Sequence, residues 1–337
     1  MTPNAQARAK VERASLEKSG PTVGAQDIPA AHEAVLATLV YYRLFNFPLT
    51  LQETHRLSGH RGPQGVTEAA LDWLVERGVA GRQDDLVFLG DASQVSERRA
   101  DEGRAVEAAA RIRRRARMIG RFPFVRGVGL SGSASKGIMK PGDDVDFFVI
   151  TAPGRLWACR ALLMLFKKVF LLNSHRLFCV NYLVAEDQLT LPDHNIYTAM
   201  EIAWLRPMWG AGWYEAFLAA NQWLVEFLPN WRPFEDPVPA HASGWAKRIL
   251  ERSLSGPAGD RFDDWLRAKI AERNRRRYRH LPPEEFESAF RSESGVSKHH
   301  PAHYQRRVTD QYRAAIQEWR SHLARALSAS ESAGGPA

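Results

Sequence analysis

The sequence predicts an α+β fold, and three observations predict it. Two short apolar runs, at 125–130 and 145–150, read as strands separated by a turn of small residues. A third strand-like run, LFCVNYLVA, follows at 177–185. Around these runs the apolar residues recur at helical spacing, so helices outnumber strands. With 337 residues, 45% hydrophobic and 25% charged, the chain is long enough for two or three domains with real cores.

Residues 1–27 are polar, mixed in charge and rich in Pro, Gly, Ala and Ser. They lack the apolar stretch of a secretory leader and are expected to form a disordered arm. Helical spacing then predicts helices over 31–45, 49–57 and 67–77, with Pro48 closing the first and Gly78 the third. The alternating run 79–89, turned at Asp84-Asp85, predicts a two-stranded hairpin. Three helices followed by a hairpin look like a winged helix, spanning 28–92. Such a module reads DNA with its third helix and rests its wing on the backbone. Here the third helix carries Glu68, Asp72 and Glu76 against Arg77, and the hairpin sets Arg82 against Asp84 and Asp85. Phosphates need a positive surface, so packing or protein contact is the expected use. A charged helix over 93–120 is expected to connect this unit to the next, its arginines, including Arg98, Arg99 and Arg104, largely solvated.

The segment GVGLSGSASKGIMKPGDDVDFFVIT, Gly127 to Thr151, carries most of the chemistry. Asp144 and Asp146 stand at i and i+2 where the second strand begins, so their carboxylates share a face while Val145 and Phe147 take the other. Convergent acids in an apolar strand call for a cation. Mg²⁺ or Mn²⁺, which takes carboxylate oxygens and keeps waters and phosphates as its other ligands, fits that demand. Ser131, Gly132 and Ser133 have little side-chain bulk, so backbone N–H groups there can approach a phosphate, and Lys136 adds a point charge. The plainer alternative is that Asp143-Asp144 after Pro141-Gly142 simply caps a turn.

The order Gly132-Ser133, ten residues, then Asp144-Val145-Asp146-Phe147 resembles the signature of the nucleotidyltransferases of the DNA polymerase beta superfamily. The resemblance implies a mixed sheet flanked by helices over 121–192. It also implies that Ser131, Gly132, Ser133 and Lys136 hold the β- and γ-phosphates of an NTP, and that Asp144 and Asp146 bind the metals. The family completes its site with a third carboxylate on a later strand. At the matching place this chain has Asn181, an amide that can coordinate a metal but is a poor base, with Glu186 and Asp187 as candidates at the strand end.

A helix is expected over 156–172, and Arg160, Lys167 and Lys168 interrupt it too often for a membrane span. Helices at 195–205 and 213–228 make a helical extension over 193–231. By analogy with the family these helices shape the acceptor pocket, with Glu201 as a candidate against its plainer reading as a surface acid. A proline-rich linker occupies 232–244, a helical region 245–327 and a disordered tail 328–337. The basic run from Arg273 to Arg279, with Tyr278 inside it, can bind nucleic acid or serve a helix C-terminus. His299, His300 and His303 lie in a loop without the acid or cysteine of a zinc site. Cys159 and Cys179 sit in apolar runs and suggest neither a disulfide nor zinc, which suits a reducing cytoplasm.

The expected function is metal-dependent transfer of NMP from an NTP, ATP for preference, to an acceptor that is a small molecule, an RNA or a protein. Two alternatives compete with it: a non-catalytic nucleotide sensor, and a nucleic-acid-binding regulator that uses the winged helix or the arginine-rich helix. The net charge of +8 permits a polyanionic partner without requiring one.

Overall fold

The computed structural model describes residues 30–170, 178–235, 238, 244–283, 286, 290–298 and 304–333. It is a mixed α+β protein with two sheets. The N-terminal arm, most of the proline-rich segment and the three histidines of the 299–303 loop fall outside the described residues.

Helix α1 (Ala30–Arg43) is followed by β1 (Leu49–Thr50), α2 (Leu51–Leu57), α3 (Gln64–Glu76), β2 (Gly81–Gln83) and β3 (Leu86–Phe88). Leu49-Thr50 was expected to open the second helix and instead forms a strand against β3, giving the antiparallel order β1-β3-β2. Both roles meet in Thr50. Its backbone is extended, at φ −74° and ψ 164°, and its hydroxyl accepts the Glu53 N–H at 3.1 Å while Glu53 Oε2 accepts the Thr50 N–H at 2.9 Å. That reciprocal capping box fixes where α2 starts.

Helix α4 (Ser93–Gly120) places Ala108, Ile112, Ala116 and Ile119 in a buried stripe, and its arginine run faces mostly outward. Arg98 departs from the expectation of solvated arginines. Its side chain is only 4% exposed and grips both carboxylate oxygens of Glu53 at 2.8 Å and Glu102 Oε1 at 2.9 Å, over the ring of Phe47. Burial works against its charge, and the two carboxylates outweigh that penalty.

The larger sheet contains β4 (Val125–Ser131), β5 (Asp146–Thr151), β6 (Cys179–Ala185), β7 (Arg206–Trp209) and β8 (Val296–Lys298) in the order β7-β4-β5-β6-β8. Only β5 and β6 are parallel, joined through α6 (Leu156–Phe170). Both sheet faces are covered, which is why β5 reads as a continuous apolar run. Phe147 and Val149 face a core shared with α4 and α6. Phe148 and Ile150 face a second core with α7 (Ile196–Trp204) and α8 (Trp213–Ala220). Strands β7 and β8 were not expected. Pro207 reads as a break, and it is tolerated because β7 is an edge strand.

The second core is continuous with the N-terminal module. Leu36, Tyr42 and Leu71 pack in the same cluster as Trp204, Leu205 and Trp231, and with Val308, Tyr312 and Ile316 of α12 (Tyr304–Ala333). The Trp204 indole N–H donates to the Tyr42 hydroxyl at 2.7 Å, tying α1 to α7. Helix α9 (Leu224–Phe227) extends this layer. On the other face, α10 (Trp245–Ser253) clamps the α4–β4 junction. Lys247 donates to the carbonyls of Gly120 and Val125, and Glu251 accepts from the Phe124 N–H and from Arg126. Helix α11 (Pro257–Arg277) lies along α6, where Asp263 Oδ1 accepts the Ala158 N–H at 2.7 Å.

Glu53 both caps α2 and neutralises buried Arg98, so Glu53→Ala is expected to lower unfolding free energy by about 3–5 kcal/mol in urea titration. The double variant Glu53→Leu/Arg98→Met removes the uncompensated charge and is expected to recover most of that loss.

Candidate functional site

Ser131 ends β4 directly opposite Asp146, the first residue of β5. The chain then turns through Gly132, at φ +68°, into the short helix α5 (Gly132–Ser135). A Cβ added at Gly132 would lie 2.7 Å from Asp146 Oδ2, so glycine is required here by its backbone angle and by the carboxylate beside it. The small-residue turn and the acidic strand are thereby held in contact.

The remaining polar groups fasten the turn. Ser133 Oγ donates to Asp143 Oδ2 at 2.9 Å, and the same oxygen accepts the Lys140 N–H at 3.1 Å. Asp143 is therefore the turn-capping acid of the Pro141-Gly142 bend. Lys136 Nζ donates to the Gly132 carbonyl at 3.1 Å and pairs with Glu201 Oε1 at 3.3 Å. Arg206 Nε donates to the Ser135 carbonyl at 2.9 Å, anchoring α5 to β7.

Asn181 does face the site. Its Nδ2 donates to Asp146 Oδ1 at 2.9 Å. The register shift between Phe147 and Phe148 in the β5–β6 pairing passes over Asn181. Burial pushes the Asp146 carboxyl up to about 6, helped by the negative charges of Glu201 and Asp144 and opposed by the Cys179 thiol and by Lys136. Glu201 acts on Asp146 more strongly than Asp144 does.

These groups line one cavity of about 990 Å³. Ser131, Gly132, Ser133, Lys136, Asp146 and Asn181, all anticipated, are on its wall, as are Asp143 and Glu201. Asp144 is exposed, precedes β5, and reaches the site through its charge on Asp146 rather than as part of that wall. Tyr41 and Tyr42 of α1, Phe45 just after that helix, Tyr197 of α7 and Tyr304 of α12 supply an aromatic flank. The floor opposite is built by α6 and α11.

Glu186 and Asp187 belong to the other end of the sheet. The Glu186 N–H bonds the Thr151 carbonyl, five residues along the strand from Asp146, which at about 3.3 Å per residue is roughly 16 Å away. All four arginines 273, 275, 276 and 277 are exposed, and of these Arg273 and Arg277 border the cavity. Lys298 also lines it. Cys159 and Cys179 are free and buried.

Among the described residues no group of three or more His, Cys, Asp or Glu could hold a metal ion. A magnesium ion does not need one, because it takes one or two carboxylates and completes its shell with water and substrate phosphate. Asp146 suits that role: it is half-buried, crowded by two other acids, and held off its ordinary ionisation by causes that a dication would reverse.

The charged groups of α3 and the hairpin are largely engaged within the protein. Asp72 of α3 pairs with Arg82 of the hairpin at 2.7 Å, Asp85 pairs with Arg99, and Arg77 stacks 4.0 Å from the Trp73 ring centre. Among the described residues no helix is long and apolar enough to cross a membrane. No protein-family model matches the chain, and no curated protein or solved structure does.

The raised Asp146 carboxyl predicts a pH signature. The folded state favours the protonated acid, so the stability it contributes is present below the unfolded value near 4 and is lost as pH rises through about 6. In metal-free buffer, Asp146→Asn is therefore expected to be more stable than the native chain at pH 8, by on the order of 1–3 kcal/mol, and to melt higher. Melting curves across pH should show that gap closing towards pH 4.

Proposed function

We propose that this chain is a metal-dependent nucleotidyltransferase that moves an NMP from an NTP, ATP for preference, to an acceptor hydroxyl and releases pyrophosphate. The observation that carries the reading is the contact of the Gly132 turn with Asp146, which sets a backbone able to approach phosphates against a carboxylate in need of a cation. The turn–strand pattern resembles that of the DNA polymerase beta superfamily, and the N-terminal helices with their three-stranded sheet suit a winged helix used for packing.

Asp146 would hold Mg²⁺ or Mn²⁺, with Asp144 adding negative charge from outside the cavity wall, and the bound ion would neutralise phosphate charge and withdraw electrons from the α-phosphorus. The Gly132–Ser135 backbone and the Ser133 hydroxyl would receive the β- and γ-phosphates, and Lys136 would turn from Glu201 to them. Glu201, so released, would be a carboxylate on the cavity wall free to accept the acceptor's hydroxyl proton. The new bond joins the acceptor oxygen to the α-phosphorus, and the bond to the bridging oxygen breaks as pyrophosphate leaves. Asn181 holds Asp146 in place by its amide donor.

That same amide favours a second reading, a nucleotide sensor without turnover, because the family's third carboxylate is absent at this position. Pyrophosphate release from each of the four NTPs, assayed with Mg²⁺ in cell extract that supplies acceptors, separates the two. Release by the native chain, abolished in Asp144→Ala/Asp146→Ala, is expected. Nucleotide binding by the native chain without any release would establish the sensor instead.

A further inference from the structure

Two helices present matching stripes to the cavity. Helix α6 contributes Arg160, Leu163, Met164 and Lys167, and α11 contributes Ile270, Arg273, Asn274 and Arg277. Each stripe follows the i, i+3, i+4, i+7 spacing of one helix face. Each begins or ends in cations, and neither helix brings a carboxylate to the cavity wall.

Arg160 is the unusual member. It is 6% exposed, and its Nε and Nη1 are buried without a hydrogen-bond partner. A buried guanidinium left without an anion is costly, and burial depresses its pKa to about 10. Its planar fork of N–H donors matches a carboxylate or a phosphate in paired fashion. Lys167, Arg273 and Arg277 add positive charge to the same wall.

The position separates this group from the phosphate turn. Side chains alternate across β5, so Phe147 faces the core that holds α6, whereas Asp146 and Phe148 face α7, where Lys136 meets Glu201. Arg160 approaches the site around the strand end at Cys179, the residue paired with Asp146. The cavity therefore has a nucleotide side and a cationic side.

We propose that Arg160, on a wall to which Lys167, Arg273 and Arg277 also bring positive charge, anchors an oxyanionic group, phosphate or carboxylate, carried by the acceptor. The word acceptor rests on the transferase reading; the anion site does not.

The test is calorimetric titration of the full chain with inorganic phosphate and, separately, with acetate, in the absence of nucleotide and metal. Saturable binding of at least one anion is expected, weakened roughly tenfold or more in Arg160→Met and not displaced by saturating Mg·ATP. The better-bound probe assigns the group as phosphate or carboxylate. Binding of neither anion, equal binding in the variant, or displacement by Mg·ATP would overturn the proposal, the last by placing Arg160 in the nucleotide site. Arg160→Met removes an uncompensated buried charge and is expected to melt no lower than the native chain. If it does not fold, Arg160→Lys decides the question: it keeps the charge and loses the fork, and undiminished phosphate binding would count against the site. Loss of phosphate binding in Arg160→Met together with absent pyrophosphate release would sink the transferase and leave the anion site standing.

Discussion

The site depends on one contact, the approach of the Gly132 turn to the Asp146 carboxylate where β4 and β5 pair through Ser131 and Asp146. Pairing in a sheet fixes register, and register fixes which side chains meet. A shift of one residue would turn Asp146 to the α6 face and remove it from Lys136, Glu201 and Asn181. The absence of a side chain at Gly132 lets the backbone come close to that carboxylate. Everything else near the site secures this contact: Asn181 from β6, Asp143 from the intervening loop, and Arg206 from β7.

The contact is supported from a distance. Apolar residues of α1 and α3 pack with those of α7 and α12 in one core, so the helix bearing Glu201 is set by the N-terminal module as well as by the sheet. On the opposite face, Lys247 and Glu251 pin α10 to the start of β4. A cavity wall assembled from segments far apart in sequence is rigid only if these layers stay packed. In this chain, the arginine stripe of α11 reaches the cavity because Asp263 and Asp260 hold that helix against α6 and its leading residue Arg155.

Local signals made β4, the small-residue turn and β5 legible, because burial on both faces writes a continuous apolar run and the turn needs small residues. The helices of the N-terminal module were legible for the same reason, through spacing and through Pro48 and Gly78. What escaped was settled by pairing partners. Leu49-Thr50 is too short to show a period, and β7 carries a proline that only an edge position tolerates. Glu201 reads as a surface acid in its helix, and only the approach of Lys136 reveals its place. Asp144 and Asp146 look equivalent in sequence, yet the strand begins between them and leaves Asp144 exposed. In the sequence Arg160 only interrupts an apolar helix. Its stripe with Leu163, Met164 and Lys167 has visible spacing, but no sequence rule says that the stripe faces a cavity.

The most direct measurement of the central claim is calorimetric binding of the non-hydrolysable α,β-methylene analogue of ATP, with and without Mg²⁺, to the native chain and to Gly132→Ala. The account predicts magnesium-dependent binding by the native chain, weakened roughly tenfold or more in a still-folded Gly132→Ala, because the added methyl must displace the Asp146 carboxylate or the turn. Equal affinity in the two proteins, or binding indifferent to Mg²⁺, would contradict it.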